Sequence, residues 1–123
     1  MIAEWTAEEV HARVASGDVS AREVCEAVFE QIGRLDPQVR AFLSLAPERA
    51  LTQAARIDAN PERRHAPLAG VPIAVKDNIC TRGLPTTAGS RILDGYVPPS
   101  DATVVERLEA AGAILVGKTT VAS

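Results

Sequence analysis

The hydrophobic period of this chain changes at Gly70, and that change limits what the chain can fold into. Upstream, apolar residues recur at three- and four-residue intervals, the spacing of one helix face. Downstream, Val71, Ile73 and Val75 alternate with Pro72, Ala74 and Lys76, the two-residue spacing of a strand with its β-branched residues on one side. The pattern predicts one domain in two parts: a helical region over residues 1–60, then a strand, loop, helix and strand over 61–123.

Two helix starts are marked by spacing. Thr6 with Glu9, and Ser20 with Glu23, have the Ser/Thr-x-x-Glu pattern in which hydroxyl and carboxylate satisfy each other's exposed backbone donors. Ser16-Gly17-Asp18 reads as the turn between these helices. The second carries Val24, Cys25, Val28, Phe29, Ile32 and Leu35 at helical spacing and is predicted to stop at Asp36-Pro37. Pro47 suits the first turn of a third helix, with Ala50, Leu51, Ala54 and Ile57 as its apolar stripe and Asn60-Pro61 as its end. Glu62 to His65 is a charged run between elements, expected to be solvated.

Lys76 closes the strand over 71–76 and stands directly before a polar turn, Asp77-Asn78, whose side chains suit bonding to their own backbone. It shares its strand face with two small residues, which leaves space beside the amine. An ammonium drawn out of water by apolar walls loses solvation, and the neutral amine that results can accept a proton. Lys76 is therefore the candidate general base; the bland alternative is a strand-end lysine that reaches solvent. Residues 81–101 form a long Gly-, Pro-, Thr- and Ser-rich loop. Asp101 is then expected to cap a helix bearing Val104, Val105, Leu108 and Ala111, which Gly112 ends in a left-handed conformation. Ala113 to Val116 reads as a buried strand. The order strand, loop, helix, strand indicates an α/β fold class.

Composition narrows the function. With 123 residues, 24% charged and a net charge of −3, the chain has no field that would gather phosphates, so direct nucleic-acid binding is not expected. Cys25 and Cys80 form no Cys-x-x-Cys pair and have no histidines at a zinc-ligand spacing, so they read as free thiols with no metal or cofactor role. Cys25 fits a helix's apolar face. The start of the chain lacks a signal-peptide pattern, and no run approaches the ~20 apolar residues of a membrane span. The cytoplasm is the expected location.

One literal motif is misleading. Gly112, four residues, then Gly117-Lys118-Thr119 spells a phosphate loop, but the four residues are Ala-Ile-Leu-Val, a strand whose amides are taken by its neighbours. The first glycine also follows a helix, where a phosphate loop follows a strand. Lys118 reads either as a second polar group at a strand's C-terminal end or as an exposed lysine on a surface turn. No Ser/His/Asp arrangement can be assembled from His11, His65 and the serines, because no Gly-x-Ser-x-Gly elbow presents a nucleophile.

The segment from Pro67 to Thr81, Pro-Leu-Ala-Gly-Val-Pro-Ile-Ala-Val-Lys-Asp-Asn-Ile-Cys-Thr, followed by Leu84 to Ser90, Leu-Pro-Thr-Thr-Ala-Gly-Ser, closely resembles the amidase signature family. Residues 97–108 and 110–119 resemble the same family's next segments in the same order. The wording over 76–81 and 91–99 is most similar to the family's tRNA-linked amidotransferase branch. The resemblance implies the N-terminal part of an amidase-signature-type α/β fold, helices followed by a β-α-β portion of a mixed sheet. It also implies a triad of a serine nucleophile, a second serine held by a cis peptide bond, and a lysine, to which Lys76 corresponds. For the tRNA-linked branch it further implies glutamine as the ammonia source and B- and C-type partner subunits. ATP and Mg would be used on a partner, and tRNA reached through the complex.

Both family serines belong to a Gly- and Ser-rich signature that these 123 residues do not contain, and Ser90, Ser100 and Ser123 match none of it. The chain is therefore expected to be a fragment, inactive alone, with strand edges that favour association. A stand-alone amidase acting on small amides, and a noncatalytic truncated product, are the alternatives.

Overall fold

The computed structural model describes residues 5–39, 42–76, 79, 81–84, 97 and 100–119. Both capping boxes start helices. In α1, Ala7–Ser16, the Thr6 hydroxyl accepts the Glu9 N–H at 3.2 Å and the Glu9 carboxylate reaches back to the Thr6 N–H. In α2, Ala21–Val39, the Ser20 hydroxyl accepts the Glu23 N–H at 3.0 Å, and Glu23 accepts from the Ser20 N–H at 3.2 Å. Asp58 adds a second clamp from elsewhere in the chain, accepting the Ala21 and Arg22 N–H groups at 2.8 and 3.1 Å.

Helix α2 runs past the stop expected at Asp36-Pro37 and ends at Val39. Proline removes one N–H donor, and in a last turn that forfeits a single bond without interrupting a longer ladder. Asp36 ties the next segment instead, accepting the Phe42 N–H at 3.2 Å. The region over 1–60 is also not wholly helical, since Phe42–Leu45 forms a short strand, β1. Four residues are too few for a strand period to emerge from sequence. Helix α3, Pro47–Ala59, and the 3-10 turn Pro61–His65 follow as one charged-faced unit, the turn being exposed as expected except for half-buried Arg64.

Strand β2, Pro72–Lys76, is followed by helix α4, Thr103–Ala110, and strand β3, Ile114–Thr119. The buried strand expected over 113–116 thus continues to Thr119. The sheet order is β1-β3-β2, with β3 central, parallel to β2 and antiparallel to β1. This is the α/β class, with a β-α-β portion in a mixed sheet. Two apolar clusters flank β3. Ile114 and Val116 join Val10, Val14, Val24, Ala54 and Ile57 from α1, α2 and α3, whereas Leu115 joins Val75 of β2 and Val105 of α4.

The turn from α4 into β3 depends on Gly112, at φ 101°, where a β-carbon would also come within 2.6 Å of the Ala69 backbone. A register shift between β2 and β3 falls at Ile73/Ala74, so that Ile73 faces Leu115, Ala74 faces Gly117 and Val75 faces Lys118. The extra residue on β3 re-aims the side chains beyond it, a common use of a bulge. Most of the loop expected over 81–101 lies outside the described residues. Among the described residues, no helix is long and apolar enough to cross a membrane.

Candidate active site

Lys76 is the last residue of β2 and lies opposite Thr119, the last of β3, so both strands present their C-terminal ends together. Parallel α/β sheets collect ligand-binding groups at that edge. Along β2, Val75 is buried while Ala74 and Lys76 are exposed, as the alternating pattern requires. The dry recess expected around Lys76 is not formed by the described residues. β2 is an outer strand of the three, and the described part of the chain places no covering layer over the face that carries Ala74 and Lys76. Asp77, Asn78 and Cys80 lie outside the described residues, as do Ser90 and Ser123. Ser100 is exposed.

The turn leaving β2 is anchored at Ile79. Its N–H donates to the Lys76 carbonyl at 3.0 Å, and its own carbonyl accepts from the Thr81 hydroxyl at 3.1 Å and from the Lys118 ammonium. Thr81 and Lys118 are both fully buried, and Ile79 packs against the Val75, Val105 and Leu115 cluster. Lys118 is thus neither exposed nor on a surface turn; it is the largest fully buried side chain of the described residues. The amides of Gly117, Lys118 and Thr119 lie in the central strand, in register with both neighbours, which removes the phosphate-loop spelling as a ligand site.

Gly117 is required for a steric reason. A β-carbon there would collide with the Ser44 carbonyl of β1 and approach the Phe42 ring within 3.1 Å. Ser44 itself lies opposite Lys118, its hydroxyl buried without a hydrogen-bond partner among the described residues.

A second polar cluster, which sequence reasoning missed, holds the downstream segments in place. Arg49 on α3 donates through Nε and Nη2 to the two carboxylate oxygens of Glu109 at 2.9 and 2.5 Å, and through Nη2 to Asp101 at 2.9 Å. Its Nη1 reaches the Arg82 carbonyl at 3.1 Å, while Asp101 accepts the Arg82 N–H at 2.7 Å. Asp101 therefore does not cap α4, whose cap residue is Ala102. A carboxylate beside a guanidinium gains more from that ion pair than from a helix terminus. Hydrogen bonding to Glu109, opposed by burial and reinforced by Asp101, holds the Arg49 guanidinium charged well beyond its ordinary range. Burial works against ionisation of Asp101, but the bonds from Arg49 and from the Arg82 backbone outweigh it, and its carboxyl sits below the usual aspartate value. An open cleft of about 340 Å³ beside this cluster is lined by Arg49, Arg56, Arg82 and Glu109 among others, and not by Lys76.

The histidines take structural places. His11 lies with Nδ1 3.3 Å from the Ala69 carbonyl, and His65 is exposed at the end of the 3-10 turn. Arg64 donates to the Asp58 carbonyl at 3.3 Å, and Gln53, buried on α3, donates to the carbonyls of Glu109 and Ala113. Among the described residues no group of three or more His, Cys, Asp or Glu could hold a metal ion.

Against known proteins, the model of the Amidase family matches residues 23–123. The A subunit of glutamyl-tRNA(Gln) amidotransferase from Cyanothece sp. (strain PCC 7425) is 50% identical over 113 residues, covering 90% of this chain and 23% of that protein. A solved, inhibitor-bound structure described as a vestigial protein complex that reveals the evolutionary origins of an s-triazine catabolic enzyme superposes with TM-score 0.89 at 39% identity, over 94% of this chain and 26% of its own. The peptide amidase from Stenotrophomonas maltophilia superposes with TM-score 0.83 at 39% identity, over 95% and 25% respectively. The chain spans about a quarter of the length of each of these proteins.

Proposed function

This chain belongs to the Amidase family, and we propose that it provides Lys76 as the lysine of a Ser–cis-Ser–Lys triad in the glutamine-hydrolysing component of a tRNA-dependent amidotransferase. The observation that carries the reading is the position of Lys76. It ends a parallel strand at the sheet's C-terminal edge, inside the family-matched segment, with a hydrogen-bonded turn directly after it. The amidotransferase choice is supported by the 50% identity to the Cyanothece protein, against 39% to the solved peptide amidase.

In this mechanism both serines come from sequence outside the 123 residues. Lys76 is the base that takes the proton of the bridging serine. That serine takes the proton of the nucleophile, which attacks the glutamine side-chain amide. The tetrahedral intermediate collapses, the proton returns through the same relay to the leaving nitrogen, and ammonia departs from a glutamyl ester. Water then cleaves the ester with the relay running again. Ammonia passes to a partner protein that uses ATP and Mg to activate Glu-tRNA(Gln) or Asp-tRNA(Asn).

The test is a chimera in which residues 1–119 replace the matching quarter of the Cyanothece protein, assayed with that organism's partner subunits. Glutamine hydrolysis and transamidation are expected, with Lys76→Ala lowering kcat about a thousandfold, the scale of a lost proton-transfer group. Undiminished turnover in the Lys76→Ala chimera overturns the assignment. Glutamine hydrolysis without transamidation favours a stand-alone amidase instead.

A further inference from the structure

The chain has two lysines, and the structure treats them oppositely: Lys76 is exposed, while Lys118 is fully buried with its ammonium on the Ile79 carbonyl. Burying an ammonium is costly, and packing alone would be served as well by methionine or leucine at this position. What the charge gains is a fixed acceptor, and that acceptor belongs to the residue whose N–H closes the turn on Lys76. Thr81, also buried, donates to the same carbonyl, so the donors of two separate segments converge on one oxygen.

We propose that Lys118 is a positioning residue: by holding the Ile79 carbonyl from the neighbouring strand, it fixes the turn after β2 and with it the backbone from which Lys76 projects. The proposal rests on the reading of Lys76 as the triad lysine, and it deepens that reading by naming what aims the base. The geometry explains the bulge as well. With the register shift at Ile73/Ala74, Lys118 falls opposite buried Val75, the residue before Lys76, and Gly117 takes the crowded position against Ser44. Without the shift, the β3 residue facing Val75 would be a different one, and the ammonium would not share that side of the sheet. A bulge, a glycine and a buried cation therefore combine near the C-terminal end of β3.

The experiment has two arms. In the first, the 123-residue chain at high dilution is treated briefly with an amine-acylating reagent and mapped by mass spectrometry, and hydrogen exchange is followed at the Ile79 amide. Lys76 is expected to acylate at least about tenfold faster than Lys118. Lys118→Met is expected to speed exchange at Ile79 about tenfold while amides of α1 and α2 keep their protection. Equal acylation of the two lysines, or a rise in exchange that is uniform across the chain, overturns the proposal, because a merely structural residue destabilises everywhere. In the second arm, Lys118→Met in the chimera is expected to lower kcat about tenfold with KM within about twofold, and Lys118→Arg, which keeps a donor, to recover part of that loss. A change confined to KM, or no recovery by arginine, also overturns it. Were the unsubstituted chimera inactive, the triad reading would fall while the exchange and acylation results still decided whether Lys118 holds the turn.

Discussion

Cys25 sits in the core cluster on α2, 1% exposed, and burial, with the neighbouring Glu26 carboxylate adding to it, pushes its thiol up to about 11. The thiolate is the reactive form, so the folded chain protects this cysteine both by access and by protonation. At neutral pH, iodoacetamide is expected to modify Cys25 at least about tenfold more slowly in the folded chain than in urea, as read by peptide mapping. Equal rates would mean that the helix does not bury this face. The same contrast of environment separates the two lysines. Sequence supplied Lys76 as a candidate because alternation put it beside small residues, but nothing local distinguishes a buried Lys118 from an exposed one. Its burial depends on β1 and β2 closing over β3 from positions about 75 and 45 residues upstream, a non-local pairing.

Among the elements, α4 shows how a tertiary contact overrides a local signal. Asp101 precedes the helix at a spacing that suits capping, yet the Arg49 guanidinium on α3 draws it into an ion pair shared with Glu109. The side chains of Arg49, Asp101 and Glu109 are only 16%, 9% and 20% exposed, so this cluster is shielded from the screening that weakens surface pairs. Arg49→Met should therefore destabilise the chain by about 3 kcal/mol, because it leaves two shielded carboxylates without their cation. Denaturant unfolding measures this, and a loss no larger than that of an exposed pair would contradict it. The cluster also predicts the direction of acid sensitivity. The Asp101 carboxyl ionises more readily folded than unfolded, so as pH falls through the unfolded value of about 3.9 the unfolded chain takes up this proton before the folded one does, and stability is lost as pH falls toward the lower folded value. Between about pH 5 and about pH 3, stability should fall less steeply in Asp101→Asn than in the parent chain. Parallel slopes would show that other carboxylates carry the acid response.

For the molecule as a whole, the sheet has two outer strands among the described residues, β1 and β2, and β2 exposes Ala74 and Lys76. Unpaired strand edges template association with other chains. At about 0.1 mM the isolated chain should therefore self-associate, and Ala74→Lys, which adds a charge to the exposed side of β2, should shift it toward monomer. Sedimentation velocity reads both, and a parent chain that remains monomeric at that concentration would show the edges to be protected already. By itself the sequence determined the two capping boxes, the helical stripes of α2 and α3, the left-handed turn at Gly112 and the alternation that ends at Lys76. Each is fixed by residues within a few positions of one another. It could not determine β1, the extension of α2 through Pro37, the role of Asp101 or the burial of Lys118. Those were decided by the tertiary structure, because each depends on a partner tens of residues away or on a strand too short to show its period, and only folding brings such groups within bonding distance.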